Sequence, residues 1–175
     1  MSTVHTLPVR AYIGLGSNLV DPCGQLLKAF AELGRLPKTR LVARSSLYCS
    51  APVGYADQPD FINAVAEVDT GLSAHELLAA LLDLEQRHGR VREFRNGPRT
   101  LDLDVLLYDG LVCHEGGLTL PHPCMHERAF VLRPLQELAP DLVIPGRGAV
   151  ADCLAACAGQ ALERFEEPAL EKRAV

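Results

Sequence analysis

Phe61-Ile62-Asn63-Ala64-Val65-Ala66-Glu67-Val68-Asp69 leads, across Thr70-Gly71-Leu72, into Ser73-Ala74-His75-Glu76-Leu77-Leu78, and the change of period between the two halves decides the class of fold. The first half alternates. Ile62, Ala64, Ala66 and Val68 fall on one face and Phe61, Asn63, Val65 and Glu67 on the other, as in a strand. The second half opens with Ser73 and Glu76, three residues apart and able to cap each other's backbone. It continues with Leu77, Leu78, Leu81, Leu82 and Leu84 as a broad apolar stripe that Gly89 ends. A strand followed by an amphipathic helix must bury one face of each.

Upstream, Arg10 to Leu15 reads as a strand running into a turn at Gly16-Ser17-Asn18. Asp21-Pro22 then opens a helix whose Leu26, Leu27, Phe30 and Leu33 face inward as far as Gly34. Leu41 to Tyr48 reads as a second strand, and Cys49 to Asp60, with Pro52, Gly54 and Pro59, as a long loop. Downstream, Leu101 to Tyr108 reads as a strand. Leu111-Val112-Cys113 and Leu118-Thr119-Leu120 are short extended pieces around Gly116-Gly117, Arg128 to Leu138 is a helix interrupted at Pro134, and Val150 to Ala158 is a last helix. The order β-α-β-β-α-β predicts an α+β fold with a mostly antiparallel sheet flanked by helices. A single domain over residues 1–175 is expected, with 163–175 as an exposed tail.

A chain of 175 residues, 48% apolar and 22% charged, is a globular protein and not a disordered or fibrous one. Its longest unbroken apolar run, Leu77 to Leu82, is far short of a membrane span, and no charged-then-apolar leader opens the sequence. A soluble, cytoplasmic protein is therefore expected, with Cys23, Cys49, Cys113, Cys124, Cys153 and Cys157 as free thiols. The formal charge of −5 argues against a nucleic-acid binder relying on a uniformly basic surface. Charge is uneven, however. Between Arg87 and Arg99 stand five arginines and a histidine against one acid, Glu93, which reads either as a solvated loop or as a local anion site.

Arg99-Thr100-Leu101-Asp102-Leu103-Asp104 carries the chemistry. Residues i and i+2 of a strand share a face, so Asp102 and Asp104 stand side by side, about 6.6 Å apart at Cα. Two carboxylates so placed repel each other unless a cation intervenes. Mg²⁺ suits them as a hard, oxygen-liganded ion that keeps waters and substrate phosphates in its other positions. The alternative is a solvent-facing strand edge. Gly14-Leu15-Gly16 lacks the third glycine of a dinucleotide fingerprint, and no phosphate-binding Gly-x-x-x-x-Gly-Lys-Ser/Thr run occurs. Cys113, His114, His122, Cys124 and His126 do not have the spacing of a structural zinc site.

Four collinear segments carry a resemblance. They are Ala11-Tyr12-Ile13-Gly14-Leu15-Gly16-Ser17-Asn18, Asp57-Gln58-Pro59-Asp60-Phe61-Ile62-Asn63-Ala64, Gly97-Pro98-Arg99-Thr100-Leu101-Asp102-Leu103-Asp104, and Pro121-His122-Pro123 with His126-Glu127-Arg128-Ala129-Phe130. Over roughly residues 10–160 the chain resembles the 6-hydroxymethyl-7,8-dihydropterin pyrophosphokinases of folate biosynthesis. The resemblance implies a ferredoxin-like α/β/α sandwich. It also implies transfer of the β,γ-diphosphate of ATP to the pterin hydroxymethyl group with release of AMP, and two Mg²⁺ ions. It implies catalytic roles for Asp102, Asp104, Arg90 and Arg92, with Asp102 and Asp104 as metal ligands. Glu85, Arg90, Arg92, Arg99, Thr119, His122 and Arg128 would bind ATP. Phe61 and Phe130 would sandwich the pterin, Asn63 would read its edge, and Ser50, Ala51, Pro52 and Val53 would supply further hydrogen bonds. A monomer without nucleic-acid or membrane partners is implied, and the loops Cys49 to Asp60 and Arg87 to Pro98 are expected to act as lids. Asn96 and Cys124 depart from the family pattern. A noncatalytic ligand-binding module and a metal-dependent nucleotide-sugar transferase are the other readings of the same residues.

Overall fold

The computed structural model describes residues 8–52, 56–89 and 100–167. Of the residues singled out above, Val53, Arg90, Arg92, Asn96 and Arg99 lie outside them, as does most of the Arg87 to Pro98 loop.

The alternating segment is β4 (Phe61–Thr70), and it is the centre of the sheet. β1 (Val9–Ser17) runs antiparallel along one edge of it. β2 (Thr39–Arg44) and β3 (Leu47–Ser50) run antiparallel along the other, one after the other. β5 (Asp102–Tyr108) lies antiparallel outside β1, and β10 (Leu162–Phe165) antiparallel outside β3. Two short hairpins, β6 (Cys113–Glu115) with β7 (Leu118–Leu120) and β8 (Val143–Ile144) with β9 (Gly148–Ala149), stand apart from this sheet.

Helices cover both faces. α1 (Pro22–Leu33) and α2 (Ala74–Arg87) bury Leu26, Phe30, Leu33, Leu77, Leu81 and Leu84 against Ile13, Leu15, Ala64, Ala66, Leu103 and Val105. Each of the leucines there contributes about 2 kcal/mol by leaving water. α2 starts as the sequence dictates: Ser73 Oγ accepts from the Glu76 N–H, and Glu76 Oε1 accepts from the Ser73 N–H, each at 3.1 Å. On the opposite face α3 (Ala129–Leu138) and α4 (Val150–Ala156) pack Leu132, Leu135 and Val150 onto Tyr12, Val65, Leu106 and Leu107. The result is an α+β sandwich of helices, antiparallel sheet and helices.

Five expectations need correction. Gly14 and Gly16 do not form a turn; β1 continues through both to Ser17, and the backbone turns only at Val20 and Asp21, whose φ values are 53° and 56°. The strand expected over Leu41 to Tyr48 is two. At Ser45 the side chain takes over the ladder, its Oγ accepting from the Val65 N–H at 2.9 Å while its own N–H donates to the Val65 carbonyl at 2.9 Å. The long loop consequently starts later, because Cys49 and Ser50 pair with Ile62 and Phe61. Pro134 does not interrupt α3; its missing N–H removes one bond, and the residue is buried within the helix. The exposed tail expected from residue 163 is paired where it starts: Glu163 and Arg164 are exposed but lie in β10, and Arg44 clamps Glu167 through two N–H groups at 2.6 and 3.1 Å.

Candidate active site

α3 and α4 pack over one end of one face of the sheet. Its other end is built by three neighbouring strands in register: Asp102 stands opposite Gly16, which stands opposite Asn63, while Asp104 stands opposite Gly14, which stands opposite Val65. Asp102 and Asp104 thus share one face, as their spacing requires, while Leu101, Leu103 and Val105 go into the core beneath α2. One step farther along, Leu106 is the extra residue of a β-bulge, since Tyr12 pairs with Leu107 and Ile13 with Val105. The bulge presses Leu106 onto Gly14, where a Cβ would lie 3.3 Å from its Cδ2. Close packing, not turn geometry, is the reason for that glycine.

His122 reaches the acid pair from the loop after β7. Its N–H donates to the Leu106 carbonyl at 2.9 Å, which hangs the residue on the edge of β5. Its Nδ1 accepts from the Cys124 N–H at 3.2 Å, so the ring proton sits on Nε2, and Nε2 lies 3.9 Å from Asp104 Oδ2. Burial, together with the positive charge of Arg128, lowers the pKa of this imidazole against the opposing pull of Asp102. Arg128 precedes α3, and its guanidinium carbon is 5.6 Å from the centroid of the Phe130 ring. Asp102, Asp104, His122, Arg128 and Phe130 therefore belong to one neighbourhood. Thr119 lies in the middle of β7, half-buried between the buried Leu118 and Leu120. Glu85 is buried in the last turn of α2, on the helix layer that covers the Leu103 face of the sheet.

Next to the acid pair lies a second group. Asn63 is buried, and its Nδ2 donates to Ser50 Oγ at 2.7 Å and faces the Tyr48 carbonyl at 3.4 Å. A carbonyl can only accept, which fixes the amide with its oxygen turned the other way. That oxygen lies over the backbone of Gly16, 3.4 Å from where a Cβ would stand, with Phe61 Cδ1 3.9 Å from the same point. Gly16 is thus the floor between Asn63 and Phe61. Ala51 and Pro52 follow β3 at its rim, exposed and half-buried.

Asn18 ends the first of the four motifs, and the residue pattern alone gives it no role. It is buried at 3% exposure, and its Nδ2 donates to Gln58 Oε1 and to the Pro59 carbonyl, both at 2.9 Å. The sequence signal for this contact is the pairing of an Asn at a strand end with a Gln-Pro segment ahead of the next strand.

An acid pair with an imidazole and a guanidinium near it, next to an aromatic ring and a fixed amide, gathers charged and ring-stacking groups at one end of an α+β sheet. Residues 12–140 match the model of the family described as 7,8-dihydro-6-hydroxymethylpterin-pyrophosphokinase. The chain is 50% identical over 156 residues to the 2-amino-4-hydroxy-6-hydroxymethyldihydropteridine pyrophosphokinase of Pseudomonas aeruginosa, covering 89% of this chain and 96% of that one. It is 48% identical over 157 residues to the Methylorubrum extorquens protein of the same name, covering 90% and 99%. Among solved structures, the wild-type Plasmodium falciparum HPPK-DHPS with pteroate superposes with a TM-score of 0.68 at 12% identity, a likeness of fold, over 89% of this chain and 43% of that one. The chain spans less than half the length of that solved relative. It belongs to the 7,8-dihydro-6-hydroxymethylpterin-pyrophosphokinase family. This membership decides among the three readings of the sequence in favour of the diphosphotransferase.

Proposed function

We propose that this pyrophosphokinase transfers the β,γ-diphosphate of ATP to the hydroxymethyl group of 6-hydroxymethyl-7,8-dihydropterin at the Asp102 end of the α3 face, with Asp102 and Asp104 at the phosphate side and Phe61, Asn63 and Phe130 at the pterin side. The observation that carries the reading is the register Asp102, Gly16, Asn63 across β5, β1 and β4. It supports an arrangement with the two substrates side by side on one rigid sheet, which is what in-line transfer needs.

The donor set fits magnesium. Two adjacent, partly exposed carboxylates share one strand face, and among the described residues no three His, Cys, Asp or Glu side chains gather into a cage of their own. Such a pair suits a cation that retains waters and takes phosphate oxygens, and two Mg²⁺ ions held by Asp102 and Asp104 would neutralise the triphosphate and orient it. The chain's own groups do the rest. His122, whose Nδ1 is taken by the Cys124 N–H, offers its Nε2–H to a phosphate oxygen beside Asp104. Arg128 adds a permanent positive charge and steadies the Phe130 ring beneath it. Glu85, Thr119, Arg90, Arg92 and Arg99 are assigned to the nucleotide on the family resemblance, with Arg90 and Arg92 drawing the transferred group's charge.

On the pterin side, Asn63 Oδ1 is the acceptor for the N–H edge of the ring, since its Nδ2 is held by Ser50. Phe61 and Phe130 supply the stacking faces, and the backbone of Ser50 to Val53 the remaining hydrogen bonds. The enzyme is assigned to the cytoplasm as a monomer; among the described residues no helix is long and apolar enough to cross a membrane. Phosphorus NMR of the protein with ATP, Mg²⁺ and 6-hydroxymethyl-7,8-dihydropterin tests the reaction. Equal amounts of AMP and pterin diphosphate are expected, and none without the pterin. ADP as product, or AMP released without pterin, would overturn it.

A further inference from the structure

Asn18 is almost completely buried directly past the end of β1. The ladder between β1 and β4 ends at Ser17 opposite Ile62. Beyond it the incoming chain is Gln58-Pro59-Asp60, and a proline has no N–H with which to join a ladder. There the Asn18 carboxamide holds the two segments together through acceptors instead. Its single NH₂ group donates to the Gln58 side chain and the Pro59 carbonyl at once, both at 2.9 Å. Two residues past Pro59 comes Phe61, whose ring edge, with Asn63 Oδ1, stands over Gly16.

We propose that Asn18 is a positioning residue for the pterin: by tying Gln58 and Pro59 to the end of β1, it sets the entry of the chain into β4 and so the place of the Phe61 ring. The inference rests on the assignment of Phe61 and Asn63 to the pterin. The function requires a donor of two hydrogen bonds at this point. Aspartate has the same shape and only acceptors, so it would set a carboxylate against two acceptor oxygens. Alanine leaves those oxygens without their buried donor. The tie is made to the segment ahead of β4 and not to β5, so binding of the nucleotide is expected not to respond to it.

The test is calorimetric titration of 6-hydroxymethylpterin, in the presence of Mg²⁺ and a nonhydrolysable ATP analogue, into wild-type protein and the variants Asn18→Asp, Asn18→Ala, Gln58→Ala, Asn18→Ala with Gln58→Ala, and Asn63→Ala. The analogue is also titrated alone and each melting temperature recorded. Asn18→Asp is expected to weaken pterin binding at least tenfold, and more than Asn18→Ala, while analogue affinity stays within twofold of wild type. Gln58→Ala is expected to cost less in the Asn18→Ala background than in wild type, because the two share one interaction. Unchanged pterin affinity in the Asn18 variants together with weakened binding in Asn63→Ala overturns the inference and leaves the site reading standing. Unchanged affinity in all variants, Asn63→Ala included, overturns both. Parallel loss of both ligands with a collapsed melting temperature overturns it as well, by making Asn18 a part of general stability. If Asn18→Asp does not fold, Gln58→Ala, a change to a half-buried side chain, decides between the same outcomes.

Discussion

The same face of the sheet carries carboxylates at both ends, and their neighbours differ. At one end Glu67 and Asp69 of β4 meet Arg10, which stands in register with Asp69 on β1, and Arg40 from the other side. Arg10 Nε lies 2.6 Å from Asp69 and its Nη1 pairs with Glu67, Arg40 is 3.0 Å from Asp69, and Tyr12 donates to Glu67 at 3.2 Å. At the other end Asp102 and Asp104 of β5 have Gly16 and Gly14 as their cross-strand neighbours on β1. One strand therefore sets an arginine against the acids at its start and glycines against those at its finish. Carboxylates at the first end are fastened into the sheet by arginine. Those at the second stand over glycine, and the proposed function gives them to the metal and the phosphates.

The largest expected effect breaks this contrast outright. Asp102→Asn or Asp104→Asn should lower turnover, read as AMP release, by at least about 10²-fold, as for loss of a preorganised electrostatic contact. Asp69→Asn should leave turnover within about twofold, since that group sits at the fastened end. The next effect sharpens the role of the glycines. Gly16→Val puts branched carbon where Asn63 Oδ1 and Phe61 stand and should weaken pterin binding about tenfold, about 1.4 kcal/mol, without weakening ATP binding. The smallest concerns the fastened end in acid. The hydrogen bond from Arg10 holds the Asp69 pKa below its ordinary value. Its contribution is therefore complete above the pKa of the unfolded carboxylate and disappears as pH falls through the lower folded value. Because the pair is near the surface, Asp69→Asn should lower the melting temperature by about 2 °C at neutral pH, and the difference should vanish in acid.

What the sequence reveals depends on how local the cause is. The cap of α2 is a matter of Ser73 and Glu76 alone and is legible, as is the shared face of Asp102 and Asp104, which follows from a period of two. The end of β1 is not legible, because glycine normally marks a turn, whereas here Gly14 makes room for Leu106 and Gly16 for Asn63, residues 92 and 47 positions away that only the folded register brings near. The same holds for β10, whose partner β3 lies more than a hundred residues earlier, and for Ser45, whose hydroxyl does the work of a backbone group. Within the site, the individual residues can be named from the motifs. Their order across the sheet cannot, since strand pairing is nonlocal.

The role of the acid pair is tested most directly by titrating a nonhydrolysable ATP analogue, with and without Mg²⁺, into wild-type protein and into the Asp102→Asn, Asp104→Asn double variant. In wild type, Mg²⁺ should raise the affinity by more than about tenfold, and in the double variant that rise should be gone while the melting temperature is kept. A Mg²⁺-dependent rise of the same size in both proteins would contradict the account.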